Sequence, residues 1–131
     1  MVDFVLFLHA HNVYLVLAAC AITGIWGLVL FFMKKTMIPS WRIALIVTAV
    51  LSGLQALLGI LLITLGQKPG GGTGLYYLHY VYGAIVALGL PIAVTYTTNG
   101  EKTRRDVLIF SIAALIMLAA GIRAFMTGTG A

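Results

Sequence analysis

Apolar residues fill four long stretches of the chain, and short polar or glycine-rich segments separate them. The stretches cover residues 4–33, 41–65, 76–97 and 106–127 approximately. Each is long enough for a membrane-spanning helix, which requires about 20 mainly apolar residues. The pattern therefore predicts a single all-α domain over residues 1–131, an integral membrane four-helix bundle with up-down-up-down topology.

The overall composition is consistent with a lipid environment. Of the 131 residues, 62% are hydrophobic and 8% are charged, and the mean hydropathy is +1.10. A water-soluble domain of this size needs far more charge to cover its surface. The N-terminus has Asp3 where a secretory signal peptide has basic residues, so the first helix is expected to be retained.

The positions of the basic residues predict the orientation in the membrane. Six of the eight lie in or next to the first and third connections: Lys34, Lys35, Arg42, Lys102, Arg104 and Arg105. Short basic connections stay in the cytoplasm, so both termini are expected on the extracytoplasmic face of what we take to be a prokaryotic plasma membrane. The net charge of +5 thus indicates topology and not a nucleic-acid partner.

Polar residues at regular intervals mark one face of the second predicted helix. Thr48, Ser52, Gln55 and Gly59 recur every three or four residues. Such residues usually hydrogen-bond between membrane helices, but contact with a cofactor or a quinone is an alternative, and Gln55 is the candidate for it. Pro39 and Ser40 precede this helix, and Ser40 is the expected N-cap. The glycine-rich segment 66–74 that follows it is expected to be a flexible external loop.

All three histidines lie near helix ends that the predicted topology places on the extracytoplasmic side. An ionisable residue inside a membrane helix is costly and usually functional. His79 opens the third helix, and Gly83 one turn later leaves space for a planar group next to the backbone. His9 and His11 are two residues apart in the first helix, so at most one of them faces the bundle.

Two helical faces compete to be the inner face of the first helix. One contains His11, Leu15, Ala18 and Ile22, and the other contains His9, Val13, Val16 and Cys20. His11 is preferred because it lies deeper and because Ala18 and Ala19 leave room for a flat ligand. Cys20 is the only cysteine, and the absence of a Cys-x-x-Cys-His motif excludes covalent c-type haem.

The first and third helices lie diagonally in a four-helix bundle of this topology. Two histidines facing each other across the diagonal can ligate the iron of a noncovalent haem b. Arg123, in the fourth helix, is expected at the same depth, where it either snorkels to the lipid headgroups or binds the haem propionates. His11 and His79 are therefore the predicted metal ligands, and His9 is the alternative to His11.

Two segments resemble the haem A synthase superfamily. Leu54-Gln55-Ala56-Leu57-Leu58-Gly59-Ile60-Leu61 followed by Leu78-His79 is similar to the helix pair in which an L-Q-x-x-L-G run precedes a haem-ligating histidine, and His9-Ala10-His11-Asn12 resembles that family's histidine-bearing helix. The resemblance implies haem ligation by His79 and by His11 or His9. It also implies a half-length relative, since haem A synthases have two four-helix halves.

Three functions remain open from the sequence. The first is a b-type cytochrome for electron transfer, which exchanges electrons with a quinone or an extracytoplasmic partner, as a single bundle or a homodimer. The second is a cofactor-free accessory subunit of a larger membrane complex. The third is a transition-metal site formed by His9, His11 and His79. No residues identify an enzymatic activity.

Overall fold

A computed structural model describes residues 1–97 and 103–129, and this part of the chain contains four long helices and no strand. The helices are α1 (Val2–Phe32), α2 (Pro39–Thr64), α3 (Leu78–Thr95) and α4 (Arg104–Gly128). All four are long and apolar enough to span a membrane. The all-helical prediction is confirmed, and the helices indicate an integral membrane protein.

The starts of α2 and α4 show how the sequence sets helix ends. The prediction that Ser40 caps α2 is wrong, because the helix begins one residue earlier at Pro39 and its N-cap is Ile38. Proline suits the first helical position because its φ is already helical and its missing N–H would have had no helical partner. At α4, the side chain of Thr103 caps the helix by accepting a hydrogen bond from the Asp106 backbone N–H.

The helices do not contact each other equally. α4 packs closely on both α1 and α3, and α1 also packs on α2, whereas α2 and α3 touch only loosely. α1 and α3 therefore lie across the bundle from each other. The loose seam between α2 and α3 leaves space inside the bundle at the end where the histidines lie.

One end of the bundle, which we call the tryptophan end, packs around Trp41. This side chain is fully buried, and its Nε1 donates a hydrogen bond of 2.9 Å to the Thr23 carbonyl. The hydroxyls of Thr23 and Thr48 are 2.9 Å apart and hydrogen-bonded. Gly27 makes the close approach possible, since a Cβ there would lie 2.6 Å from the Trp41 ring. The same Cβ would also collide with Ser111 of α4. Helices α1, α2 and α4 therefore pack closely against one another at this end.

Basic residues gather at the tryptophan end. Arg104 donates a hydrogen bond of 2.8 Å from Nη2 to the Phe31 carbonyl at the end of α1, and its guanidinium lies 4.5 Å from the Phe31 ring centre. Arg105 donates to the Tyr96 carbonyl at 3.0 Å. Arg105 therefore binds a carbonyl at the C-terminal end of α3, and Arg104 adds a second hydrogen bond to the Phe31 carbonyl, which also accepts from the Lys34 backbone N–H. Lys102, predicted in the same connection, lies outside the described residues.

The segment between α2 and α3 forms a defined turn. Pro69–Gly72 forms a tight turn in which Gly70 and Gly71 have φ angles of 57° and 71°. These are left-handed values that glycine adopts without the steric cost of a side chain. The turn packs against α4. It therefore covers the end of the bundle opposite the tryptophan end.

Candidate functional site

A cavity of 710 Å³ occupies the end of the bundle that contains His9 and His79, which we call the histidine end. Cofactor and small-molecule sites typically measure about 300–1,000 Å³. The turn at Gln67–Gly71 borders the cavity on one side. Along the loose α2–α3 seam the cavity is lined by exposed residues, among them Ile60, Tyr80 and Leu88. The cavity therefore opens sideways between these two helices.

His9 from α1 and His79 from α3 face each other across this cavity. Their ring centres are 6.1 Å apart, and the ring planes are inclined by 66°. A metal–imidazole bond of about 2 Å on each side, plus roughly 1 Å from each ring nitrogen to its ring centre, gives about 6 Å between two imidazoles that share one metal. The observed distance between the ring centres is therefore compatible with two imidazoles that share one metal.

The orientation of His79 is set by α4. Its Nδ1 lies 2.7 Å from the Ala124 carbonyl oxygen. A carbonyl only accepts, so Nδ1 carries the proton and donates it, which leaves the Nε2 lone pair free. The ring also sits directly against Gly128, where a Cβ would come within 2.9 Å of Cε1. A backbone carbonyl that holds one ring nitrogen is the usual support of a metal-ligating histidine.

A network of amide side chains holds His9. Gln55 Nε2 donates a hydrogen bond of 2.9 Å to the His9 carbonyl, and Asn12 Nδ2 donates to Gln55 Oε1 at 2.9 Å and to the Leu51 carbonyl at 3.1 Å. The network fixes the backbone of α1 against α2. Gly59 gives the ring its space, since a Cβ there would lie 3.3 Å from His9 Cε1.

Two buried polar atoms at the cavity have no hydrogen-bond partner within the described part of the chain. They are His9 Nδ1 and Ser52 Oγ, and both residues line the cavity. Ser52 is only 2% exposed. A buried polar group without a partner costs about 1–3 kcal/mol, so such groups usually mark the place of a ligand or an ordered water. Both atoms therefore point to an occupant of this cavity.

The structure reverses the preference between the two histidines of α1. His11, expected to face inward, is exposed, stacks on Phe7 with ring centres 4.1 Å apart, and has Nδ1 2.8 Å from the Phe7 carbonyl oxygen. The inner face of α1 contains Asn12, Val16 and Cys20, and His9 lies on it. This rotation buries Asn12, whose side chain donates a hydrogen bond to Gln55.

The other predicted site residues divide between the cavity and the lipid side. Gly83 and Gln55 line the cavity, and a Cβ added at Gly83 would have no described atom within 4 Å. Arg123, expected next to the histidines, is exposed, with its guanidinium 5.7 Å from the Tyr82 ring centre and Nη1 3.6 Å from Met126 Sδ. Arg123 therefore does not line the cavity.

Two cavity residues were not selected as site residues from the sequence. In the sequence Ser52 belongs to the polar stripe of α2, and only its missing partner in the folded bundle distinguishes it from Thr48. The sequence predicts a flexible loop around Lys68, yet Lys68 lines the mouth of the cavity. The signal for Lys68 was its position, since it is the only basic residue in the 66–74 segment.

The number of ligands indicates which kind of metal group fits. Across residues 1–97 and 103–129, no three His, Cys, Asp or Glu side chains cluster closely enough to hold a metal ion. The transition-metal site that combines His9, His11 and His79 is therefore wrong, as His11 points away. A bare zinc ion requires three or four protein ligands, whereas a haem brings four nitrogens of its own and needs only axial ligands. The facing pair suits the second case.

Searches for related proteins found no match that would assign a function to this cavity. No family model, no curated protein and no solved structure matches the chain. The fold and the site therefore define a class only: an all-helical protein with four span-capable helices and a histidine-lined cavity.

Proposed function

We propose that this protein is a b-type membrane cytochrome that holds one noncovalent haem between His9 and His79 and transfers electrons. The observation that supports the proposal is the facing imidazole pair, 6.1 Å between ring centres, at an apolar cavity. In this proposal His79 is one ligand, as the sequence predicts, and His9 replaces His11 as the second ligand. When bound, the haem supplies reversible one-electron chemistry, with a potential tuned by ligands and burial.

The residues around the cavity have separate tasks in this proposal. The Ala124 carbonyl and Gly128 keep His79 Nε2 directed away from α4, while Gln55 and Asn12 hold the backbone of His9. Gly83 leaves the space that a flat macrocycle needs next to α3. The mostly apolar lining would favour coordination of a bound haem by His9 and His79 over coordination by water.

We further propose the up-down-up-down topology, with both termini on the extracytoplasmic side. The start of α3 contacts the end of α4 through His79 and Ala124, and the end of α1 contacts the start of α4 through Phe31 and Arg104. These contacts support alternating helix directions. The described basic residues at the tryptophan end support a cytoplasmic location for that end, in a prokaryotic plasma membrane.

A single haem at the histidine end does not connect the two membrane surfaces. The proposed electron exchange therefore takes place on the extracytoplasmic side, with a redox partner there or with a quinone in the bilayer. The opening between α2 and α3 supports access from the bilayer. We also retain, as a proposal, a half-length relationship to the haem A synthase superfamily, which rests on the sequence segments alone.

The deciding experiment is the difference spectrum, dithionite-reduced minus oxidised, of the protein purified in detergent. A b-type cytochrome gives a sharp reduced Soret band and α band, and pyridine haemochrome analysis identifies haem b. A colourless preparation from haem-replete cells would reject the proposal. The protein would then be better explained as a cofactor-free accessory subunit of a membrane complex.

The three histidines provide a matched set of variants. His9→Ala and His79→Ala are expected to lower haem content at least about tenfold, because even indirect partners of a metal ligand change affinity by that factor. His11→Ala is the control, since this side chain is exposed on the same helix. Thermal unfolding of each variant separates ligand loss from misfolding. Full haem content in His79→Ala, or loss in His11→Ala alone, would contradict the assigned ligands.

A further inference from the structure

The mouth of the cavity has a single described cationic side chain, and it belongs to the glycine-rich turn. Gln67, Lys68, Pro69, Gly70 and Gly71 all line the cavity. The stem of Lys68 folds back over the turn, since a Cβ at Gly72 would lie 3.1 Å from Lys68 Cδ. Gly72 thus leaves room for the lysine stem against the backbone. The turn therefore places a lysine at the rim of a mostly apolar cavity.

Three of the other described basic residues have contacts elsewhere, and Lys34, Lys35 and Arg42 do not line the cavity. Arg104 and Arg105 bind helix carbonyls at the tryptophan end, and Arg123 lies against Tyr82 and Met126. The described lining of the cavity contains neither Asp nor Glu. The Lys68 ammonium lies 5.7 Å from the centre of the Tyr76 ring. The charge at the rim is therefore available to an anion that enters with the ligand.

We propose that Lys68 binds the carboxylate edge of the molecule in the cavity and thereby sets its orientation, with the acidic edge at the turn and the apolar edge towards Val16 and Val86. This inference rests on the proposed haem and assigns to Lys68 the role first expected of Arg123. A carboxylate at the rim stays close to water and meets an ammonium, whereas the reverse orientation would bury two carboxylates among apolar side chains, which is costly without partners.

The Lys68 ammonium is exposed, which limits the size of its contribution. Exposed ion pairs contribute modestly and are screened by salt. We therefore expect Lys68→Gln to weaken haem binding about two- to fivefold. Lys68→Glu places a negative charge next to the haem carboxylates and is therefore expected to weaken binding further. The effect of either substitution should shrink in 1 M salt, where the Debye length is about 3 Å.

The test compares haem with haem dimethyl ester, in which both carboxylates are blocked. Apo-protein in lipid nanodiscs is titrated with each compound, and binding is measured through the Soret band. The wild type should bind haem more tightly than the ester, and Lys68→Gln should lose most of this preference while both compounds keep a bis-histidine spectrum. Arg123→Gln is the matched control, since it also removes a cation at the histidine end, and it should keep the wild-type preference.

The outcomes separate this inference from the function on which it rests. If wild type and Lys68→Gln discriminate equally between the two compounds, the role of Lys68 is overturned while the histidine ligation stands. Loss of discrimination in Arg123→Gln, with Lys68→Gln unchanged, would return the role to Arg123. If neither compound gives a bis-histidine spectrum with the wild type, the proposed function fails, and this inference fails with it.

Discussion

The two ends of the bundle use similar polar residues in opposite ways. At the tryptophan end, Trp41, Thr23 and Thr48 bind one another and nearby carbonyls, and Gly27 lets the helices meet closely. At the histidine end, a cavity of 710 Å³ separates α2 from α3, and His9 Nδ1 and Ser52 Oγ lack partners among the described residues. At the tryptophan end the polar side chains bind within the protein, whereas at the histidine end they surround the large cavity.

This difference shows how a small membrane bundle can be both stable and open. Close packing of α1, α2 and α4 at the tryptophan end fixes the helix positions, so the loose α2–α3 seam need not be closed for the bundle to hold. Membrane helices associate mainly through packing and interhelical hydrogen bonds. The polar groups that remain without partners are thus grouped where a ligand can satisfy them.

The largest expected effect is on stability at the tryptophan end. Trp41→Ala removes a fully buried ring that fills the space between α1 and α4. We expect the free energy of unfolding to fall by about 3–5 kcal/mol, as for other buried aromatic truncations. Reversible unfolding in mixed detergent micelles measures this change. Tyr77→Ala, an exposed aromatic at the histidine end, is the control, and an equal loss there would remove the distinction between the ends.

The second prediction concerns a substitution that fills the cavity. Gly83→Leu places a side chain into open space, so haem binding should fall at least about tenfold, which corresponds to about 1.4 kcal/mol. Stability of the apo-protein should not fall, because leucine favours a helix more than glycine does. Gly83→Ala adds only one methyl group and should retain most of the haem. Haem titration and thermal unfolding together test this prediction. Unchanged binding in Gly83→Leu would place the ligand elsewhere.

A third prediction concerns the amide network beneath His9. Gln55→Leu removes two interhelical hydrogen bonds, those with Asn12 and with the His9 carbonyl. Interhelical hydrogen bonds in membranes contribute about 0.6 kcal/mol each on average, so the loss of stability should be about 1 kcal/mol. Haem retention should fall as His9 loses its support, as measured by the rate of haem transfer to an acceptor protein. Gln55→Leu with unchanged stability and retention would show that the network has no positioning role.

The smallest effects distinguish two hydroxyl groups of α2. Thr48→Val should cost about 0.6 kcal/mol, because the Thr48 hydroxyl bonds with Thr23 across the helix interface. Ser52→Ala should cost nothing in the apo-protein, because its hydroxyl has no partner in the described structure. Unfolding of the two apo-proteins under the same conditions makes the comparison. A loss in Ser52→Ala equal to that in Thr48→Val would mean that Ser52 is bonded in the apo-protein.

Much of the site was accessible from the sequence, but its geometry was not. The position of His79 near the start of a helix and the gap at Gly83 were both visible as local features. The choice of His9 over His11 depended on which face of α1 meets Gln55. The sequence does not distinguish the two faces, because both are apolar and each contains one histidine. The roles of Ser52 and Lys68 depend on a cavity that no local pattern reveals.

The sequence by itself determined the four helices and their suitability for a membrane. It did so through composition, length and end signals such as Pro39 and Thr103, which act within a few residues. The tertiary structure alone decided the rotation of α1, the loose seam between α2 and α3, and the meeting of His9 with His79. The physical reason is that helix formation depends on local backbone hydrogen bonds and apolar length, whereas the facing of two side chains depends on how well distant helix surfaces fit one another.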